Sequence, residues 1–384
     1  MIVKKPYGVS SDIEVTIDGS EVSYTSINSV ELHLEENMHD MLVLVVTGIP
    51  PKAITDYYGK AVSFRMISGR TTSHEFLGYV EDVRPYSFTG FGLINNSPFQ
   101  ETRIVCMGAS YNMRGSTSRV WRNFRISDIA RDMCDKYKFS LDVPKDDLYI
   151  DNVAQTNESD WQFLTRYCTH FGYSVTVHST HMHVFDPYNA LSRQNSVHVL
   201  ETLKSAKGDP TPRPGQILKF EGSFSRRHAD GHYKETIVSV LKEDNSLGEL
   251  SSSTVDLRTN GMARYPNRVS SYSDNFAEAR RRISAVSKEK YDYYADVQVL
   301  GIANCVPGGI VEVGDYSSDF DGFWYVQKVS HTLDSDKFIT DLQIAKNLNT
   351  ELIFNNTKKF QNPPSATYRN GVWMTTEKRV NEYS

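Results

Sequence analysis

Residues 78–83 read Gly-Tyr-Val-Glu-Asp-Val, and residues 325–329 read Tyr-Val-Gln-Lys-Val. A β segment that begins with glycine precedes each of these stretches, at 59–66 and at 308–313. One more β segment follows each of them. Self-similarity of this kind is the signature of a duplicated structural element. The sequence therefore predicts that the two ends of the chain carry copies of one β unit.

Six residues define this repeat: Tyr79, Val80 and Val83 in the first copy, and Tyr325, Val326 and Val329 in the second. The tyrosine and the second valine of each copy are four positions apart. Residues separated by an even number point to the same side of a regular strand. The tyrosine and the second valine are therefore expected to share a face.

The pattern around both copies is that of short β-strands. Apolar and polar residues alternate at 13–17 and at 62–66, with turn residues between the segments, and alternation returns from 297 to 344. Aromatic and β-branched residues suit half-buried strands, and many short strands with regular turns favour a barrel or sandwich.

The middle of the chain changes to helical spacing. Apolar residues recur at this spacing across 126–137, with Ser127 placed to cap the helix. A second helix is expected between Asn157 and Gly172, and a hairpin at 173–185. In this hairpin, a two-residue turn puts Val175, Val177, Met182 and Val184 on one face.

A third helix is predicted at about 274–290. It carries the basic cluster Arg280-Arg-Arg282, for which we expect a solvated or interface position. The stretch 315–322 resembles a calcium loop in composition. If Ser317 is the first position of such a loop, the twelfth is Lys328, where the loop needs a glutamate. We therefore expect a hairpin turn there.

Together these patterns predict an α+β, mostly β protein in which two similar β regions, each a barrel or a sandwich, flank a smaller α/β domain. The predicted boundaries are a first β region at 1–110, an α/β domain of two helices and a hairpin at 111–191, and a linker, helix and second β region at 192–345. The polar remainder, 346–384, is expected to be an extended tail held by a partner.

Composition excludes several classes of protein. The net charge is −5, whereas a general binder of duplex DNA usually has a basic surplus. No apolar run approaches the length of a membrane helix, and the N-terminus lacks the apolar core of a signal peptide. Four cysteines without CxxC spacing are expected to be reduced, with Cys134 and Cys168 packed on helix faces.

The residues offer little catalytic chemistry. His178, His181 and His183 lie on the polar face of the predicted hairpin and are the weak candidates for a zinc site. Too few further ligands lie nearby, so we expect a polar outer face and no metal. No nucleophile elbow, phosphate-binding loop or zinc-protease motif is present. We expect no cofactor and no enzymatic activity.

Three stretches resemble a known family. They are Phe124-Arg-Ile-Ser-Asp-Ile-Ala, Gln155-Thr-Asn-Glu-Ser-Asp-Trp-Gln-Phe-Leu and Tyr325-Val-Gln-Lys-Val-Ser-His331. The first two resemble the central domain, and the third the last barrel, of phage baseplate hub proteins. This family includes the T4-type and Mu-type hubs, the late control D proteins and the N-terminal part of the type VI secretion spike protein.

The resemblance implies a homotrimer in which each chain carries two similar tube-forming β-barrel domains, at 1–110 and within 192–345, that flank the smaller α/β domain. Such a ring presents six similar units, joins a six-fold tail tube to a three-fold central spike, and lines the channel for the genome. The implied partners are the tail tube protein or a tube initiator, the spike protein, other baseplate proteins and DNA in transit, without stable membrane association. The implied location is the virion baseplate, after assembly in the host cytoplasm.

Other functions remain open on the sequence. A siphophage-type tail-tip protein would share the same fold. A receptor-binding or carbohydrate-binding tail protein would present exposed clusters of Trp and Tyr. An envelope hydrolase would need paired catalytic carboxylates, for which the sequence offers no recognisable setting.

Overall fold

The structure is a computed structural model. It describes residues 11–22, 27–48, 54–68, 71–88, 99–144, 149–187, 197–202, 213–224, 235–241, 247–253, 266–268, 278–279, 282, 291, 293–334, 336–346, 366–369 and 372–375. The prediction of a mostly β protein with α+β character is confirmed, because these residues form 24 strands together with the helices α1 and α2.

The elements follow one another in this order. The first strands are β1 (Ser11–Ile17), β2 (Ser20–Glu21), β3 (Ile27–Glu35), β4 (Met41–Thr47), β5 (Ala61–Ser68), β6 (Thr71–Thr72), β7 (Phe76–Phe88) and β8 (Phe99–Gly108). The middle contains β9 (Ser116–Arg125), α1 (Ile126–Tyr137), β10 (Ser140–Asp142), β11 (Tyr149–Ser159), α2 (Asp160–His170), β12 (Ser174–His178) and β13 (His181–Phe185). Short 3-10 helices lie at Ile54–Asp56 and Ala109–Arg114.

The remaining strands complete the chain. They are β14 (Val197–Glu201), β15 (Ile217–Phe224), β16 (Glu235–Leu241), β17 (Leu247–Ser253), β18 (Pro266–Arg268), β19 (Tyr293–Leu300), β20 (Ile310–Gly314), β21 (Gly322–Asp334), β22 (Phe338–Lys346), β23 (Ala366–Arg369) and β24 (Val372–Thr375).

One sheet of 14 strands dominates the molecule. Its order is β15-β19-β22-β21-β3-β4-β8-β7-β5-β1-β2, with β20 between β21 and β14, and β6 beside β5. The arrangement differs from two separate barrels, since the pairing of β21 with β3 joins the two β regions across the described residues.

Two groups of six strands in this sheet have the same internal order. We call β1, β3, β4, β5, β7 and β8 the N-terminal unit, and β14, β15, β19, β20, β21 and β22 the C-terminal unit. The first runs β3-β4-β8-β7-β5-β1 across the sheet, and the second runs β15-β19-β22-β21-β20-β14. Strands of equal rank in the chain therefore occupy equal places. One difference is that β1 is antiparallel to β5, whereas β14 is parallel to β20.

The two units share their irregularities as well. The register of β7 against β8 shifts between Val80 and Asp82, and that of β21 against β22 shifts between Val326 and Lys328. A second shift opens each unit, between Ile27 and Ser29 in β3 and between Ile217 and Lys219 in β15. A bulge inserts one extra residue and bends its strand. Both units therefore bend at the same two places.

A glycine lies two positions before the fourth strand of each unit: Gly59 before β5 and Gly308 before β20. The amides of Gly59 and Gly308 donate to the carbonyls of Val80 and Val326 at 2.8 and 2.9 Å. Both glycines have a positive φ, of 73° and 85°. This left-handed conformation is strained for residues with a Cβ atom, so the turn favours glycine in both units.

The apolar face of the sheet forms a single core. The cluster includes residues of both units, among them Leu42, Leu44, Ile104, Val297, Leu342 and Ile344, all buried. Burying a side chain of this size stabilises the fold by roughly 1.5–3 kcal/mol. The seam between the units is thus held by a common core as well as by hydrogen bonds.

The middle unit (β9 to β13 with α1 and α2) has a separate core. Helix α1 has its N-cap at Arg125, two residues before the predicted cap at Ser127, so that cap is wrong. Asp128 accepts a hydrogen bond from the Arg125 amide there. Helix α2 has the reciprocal capping box of Ser159 and Gln162.

The predicted hairpin is confirmed at β12 and β13. Its register pairs Val175 with Val184 and Val177 with Met182. Cys134 and Cys168 are buried and are not in a disulfide, as predicted.

The predicted third helix, 274–290, lies largely outside the described residues, but 278, 279 and 282 are helical. Of the two positions expected for the basic cluster, solvated or at an interface, the solvated one is wrong for Arg282, which is only 1% exposed. In the predicted tail, β23 and β24 pair with each other instead of remaining single extended segments. Across the described residues, no helix combines the length and apolar character needed to cross a membrane.

Candidate functional site at the joint of the units

The seam between the two units is an antiparallel pairing of Ser29–Glu35 in β3 with Lys328–Asp334 in β21. Side chains reinforce it on the polar face of the sheet. Lys328 Nζ lies 2.9 Å from Glu35 Oε2, and His33 Nδ1 lies 3.0 Å from Ser330 Oγ. Cross-strand pairs of this kind each add roughly 0.2–1 kcal/mol.

The repeat residues lie at equal positions in β7 and β21, and the copy in β21 is the one next to this seam. Val80, Val83, Val326 and Val329 all belong to the shared core. Tyr325 packs instead in a second cluster with Tyr291 and Ala345. The expectation that the tyrosine and the second valine share a face is therefore wrong. The bulge residues Glu81 and Gln327 insert one extra position and reverse the alternation.

The turn between β3 and β4 connects the seam to its surroundings through Glu36. The Tyr325 hydroxyl donates to Glu36 Oε2 at 2.5 Å, and the Glu36 amide donates to the Gln327 carbonyl. Burial raises the pKa of Glu36, while the hydrogen bonds from Tyr325 and Ser174 act in the opposite direction. The pKa of Tyr325 is raised as well, by its complete burial and then by the charge of Glu36.

Asn37 fixes the same turn to the middle unit. Its amide donates to the Val175 carbonyl at 2.8 Å, and its Oδ1 accepts from the Val175 amide at 2.9 Å. Asn37 therefore exchanges two hydrogen bonds with Val175 on the edge strand β12. Its φ of 61° is left-handed, a conformation that asparagine tolerates better than most residues.

Asp40 forms the third contact of the turn, with the hairpin histidines. His178 Nδ1 lies 2.9 Å from Asp40 Oδ2, and the Asp40 carbonyl accepts from the Gly108 amide. Burial raises the pKa of Asp40, and the neighbouring His178 lowers it. Because Thr176 is also buried, the predicted polar outer face of the hairpin is wrong: this part of it packs against the N-terminal unit.

The three candidate histidines do not converge on a metal. His178 contacts Asp40, His181 Nδ1 lies 2.8 Å from Ser140 Oγ, and His183 Nε2 lies 3.3 Å from Asp142 Oδ2. Within the described ranges, no three His, Cys, Asp or Glu side chains are grouped so as to hold a metal ion.

A charged face lies opposite the shared core. On strands β15 to β7 of the sheet it carries these carboxylates: Glu31, Glu35, Asp82, Glu101, Glu221, Asp296, Asp334 and Asp341. It carries these basic residues: Arg84, Arg103, Lys219 and Lys328. The basic side chains of Lys219 and Lys328 lie within 3 Å of Glu221 and Glu35. The face is therefore acidic overall, with most of its basic charge paired.

Glu36, Asn37 and Asp40 were not among the sequence candidates. The only signal was a short polar run between two apolar strands, which is typical of any hairpin turn. Their contacts with Tyr325, Val175 and His178 form only in the folded chain, so the sequence alone does not identify them.

The family comparison gives a direct match. Residues 35–337 match the model of the phage tail baseplate hub (GPD) family, and this range contains the middle unit and most strands of both β units. No curated protein sequence matches the chain.

Solved structures share the fold at low identity. A tail protein from Neisseria meningitidis MC58 has a TM-score of 0.63 and 13% identity, covering 88% of this chain and 96% of its own. The 43 kDa tail protein of prophage MuSo2 from Shewanella oneidensis has a TM-score of 0.61 and 15% identity, with 88% and 98% covered.

A component of the type VI secretion system of E. coli has a TM-score of 0.56 and 10% identity, with 92% of this chain and 81% of its own covered. It is described as structurally similar to the T4 bacteriophage tail proteins gp27 and gp5. At such identities the similarity establishes the fold, and the family match identifies the chain. The chain belongs to the phage tail baseplate hub family.

Proposed function

We propose that the chain is the structural hub of a tail baseplate, and that three copies form a ring that adapts a six-fold tail tube to a three-fold central spike. A ring of three identical chains presents six similar sites only if each chain carries two similar units. The repeated strand order of the N-terminal and C-terminal units is the observation that carries this proposal.

Three details support common descent of the two units. Their strands follow the same chain order, their bulges fall at Glu81 and Gln327, and their glycines donate to Val80 and Val326. Two unrelated sheets would share such irregularities only by coincidence. The units are proposed as copies whose outlines were kept while their sequences diverged.

The acidic face of the sheet suits the wall of the central channel. DNA binds proteins chiefly through neutralisation of its phosphates by Lys and Arg. A wall with more carboxylates than basic groups repels the phosphate backbone, so a genome passes without sticking. The apolar face is already occupied by the shared core and is therefore unsuited to line an aqueous channel.

The proposed partners are the tail tube protein or a tube initiator on one side, the central spike protein on the other, and neighbouring baseplate proteins at the rim. The proposed location is the baseplate of the virion, after assembly in the host cytoplasm. The segment 346–384 is proposed as a contact for one of these partners.

Light scattering on the purified chain tests the proposal. A trimer weighs three times 43.6 kDa, and averaged electron micrographs of it are expected to show three-fold rings with a central opening. A stable monomer or dimer at micromolar concentration, or particles without a hole, would refute the ring.

The receptor-binding and carbohydrate-binding alternatives receive no comparable support. Each tryptophan whose side chain is described, Trp121, Trp161 and Trp324, is buried. In the aromatic cluster of the C-terminal unit, Trp324 lies in the core, and the partly buried rings of Phe220 and Phe320 pack against it.

A further inference from the structure

The pairing of β21 with β3 within one chain is a model for the pairing of the equivalent strands of two chains. In the C-terminal unit, the second half of β21 pairs with β3, the first strand of the N-terminal unit in sheet order. The equivalent of β21 is β7, and the equivalent of β3 is β15. Repeating the seam at the next unit of a ring thus joins β7 to β15 of another copy.

Both strands have an open edge along the length concerned. Within the described residues, β15 pairs with β19 alone, and Asp82–Phe88 of β7 pair with β8 alone. Phe224 in β15 is 47% exposed, and the Arg84 side chain in β7 is 72% exposed. Pro85 lies in the same stretch of β7, and proline within sheets is confined to edges or bulges.

The pairing registers fix which residues correspond. Following them from strand to strand matches Val83 to Val329, Ile104 to Leu342, Leu44 to Val297 and Val30 to Phe220. Continuing along the strands, Arg84 corresponds to Ser330, and Ser223 corresponds to His33. In the seam within the chain, Ser330 is directly opposite His33.

We propose that Asp82–Phe88 of β7 pair antiparallel with β15 of a neighbouring copy, with Arg84 opposite the neighbour's Ser223 and Val83 opposite the neighbour's Phe224. The inference rests on the proposed trimeric ring and specifies its interface. The contact is head-to-tail, since each copy offers β7 to one neighbour and β15 to the other, and three-fold rotation closes it. It removes two open strand edges, which otherwise template aggregation.

Paired cysteines test this register. Arg84→Cys with Ser223→Cys places two sulfurs at directly opposed positions, where cross-strand Cβ atoms are within reach of a disulfide. The two positions lie on strands seven steps apart in the sheet of one chain, about 34 Å at the usual strand spacing. A disulfide within one chain is therefore excluded. In a closed ring, every copy is linked to both neighbours, so mild oxidation yields covalent trimers on a non-reducing gel.

Two variants serve as matched controls. Arg84→Cys with Lys219→Cys uses the same strands and the same face, but the second cysteine is about 13 Å along β15, so we expect roughly tenfold less linkage. His33→Cys with Ser330→Cys reports the template seam and should form a disulfide within each chain. The four native cysteines are buried and should not contribute.

The outcomes separate the inference from the proposed function. Covalent trimers from the Ser223 pair, and few from the Lys219 pair, support the register. A protein that is trimeric by light scattering, but links poorly through Ser223 or better through Lys219, overturns the register and leaves the ring intact. A chain that is not trimeric overturns both.

Discussion

Tyr325 donates a hydrogen bond to Glu36, and the two residues are 289 positions apart in the chain. Tyr325 is fully buried and Glu36 is partly buried, at the point where the seam, the β3–β4 turn and the middle unit meet. The contact thus connects the N-terminal and C-terminal units through a polar pair beside the hydrogen bonds of Asn37 and Asp40.

Replacing Tyr325 by phenylalanine should destabilise the protein by about 1–3 kcal/mol, because the partly buried Glu36 carboxyl loses a hydrogen-bond donor. Urea unfolding at pH 7 measures the effect. Tyr79→Phe, at the equivalent position of the other unit, is the matched control. Equal and negligible losses in both variants would show that the Glu36 contact contributes little.

Glu36→Gln should be at least as stable as the wild type at pH 7 and should lose this advantage in acid. A raised pKa means that the folded protein holds the Glu36 proton more tightly than the unfolded chain does. The stability contributed by this group is therefore present in acid and is lost as the pH rises through the raised pKa. Glu21→Gln, at an exposed position of β2, controls for loss of charge alone. A Glu36→Gln variant that is less stable at pH 7 than at pH 4, relative to wild type, would contradict this account.

His331 should make the fold sensitive to acid. Burial lowers its pKa to about 4, from 6.5 in the unfolded chain. The unfolded chain therefore binds more protons between these values, and stability falls as the pH drops through this window. Between pH 7 and pH 5, His331 alone is expected to lower the free energy of unfolding by about 2 kcal/mol. Unfolding free energies of wild type and His331→Gln at pH 7 and 5 should show a smaller loss in the variant. His33→Gln, on the exposed face, should retain the full loss.

Alanine at the two equivalent glycines should have unequal effects. At Gly59 the added Cβ meets no atom within 4 Å, so only the backbone strain of about 1–2 kcal/mol applies. At Gly308 the same atom lies 2.9 Å from the Phe185 ring, so overpacking adds about 1–3 kcal/mol. Thermal unfolding of both variants measures the difference. If Gly59→Ala lowered the unfolding temperature more than Gly308→Ala does, this account of the two turns would be wrong.

The cysteines should be unreactive in the native protein. Burial raises the pKa of Cys134 and of Cys305 to about 12, so neither forms the reactive thiolate at neutral pH. A maleimide should label none of the four thiols until denaturant is added. Prompt labelling of Cys134 in the native state would show that the core of the middle unit opens readily.

Local sequence patterns predicted the structural features that depend only on residues close together in the chain. Alternation predicted the register of Val175 against Val184, and the repeated Tyr-Val-x-x-Val located β7 and β21. The strand β9 was not predicted, because its side chains are mostly exposed and Val120 breaks the expected alternation.

Long-range pairings could not be predicted in this way. The bulges at Glu81 and Gln327 depend on the register of a partner strand, which no single segment encodes. The pairing of β3 with β21 and the contact of Asp40 with His178 join segments more than a hundred residues apart. Polar residues in a turn reveal their partners only after folding.

The seam has a consequence for the order of events in assembly. A ring of six separate chains would need five encounters between molecules, and each encounter would lose translational and rotational freedom. In the proposed ring, alternate junctions are tethered within one chain, where the local concentration of the partner strand reaches the millimolar range. These junctions form during the folding of each monomer, before any second molecule arrives. Two encounters between molecules then bring the three copies together, and a partly built ring always contains an even number of units.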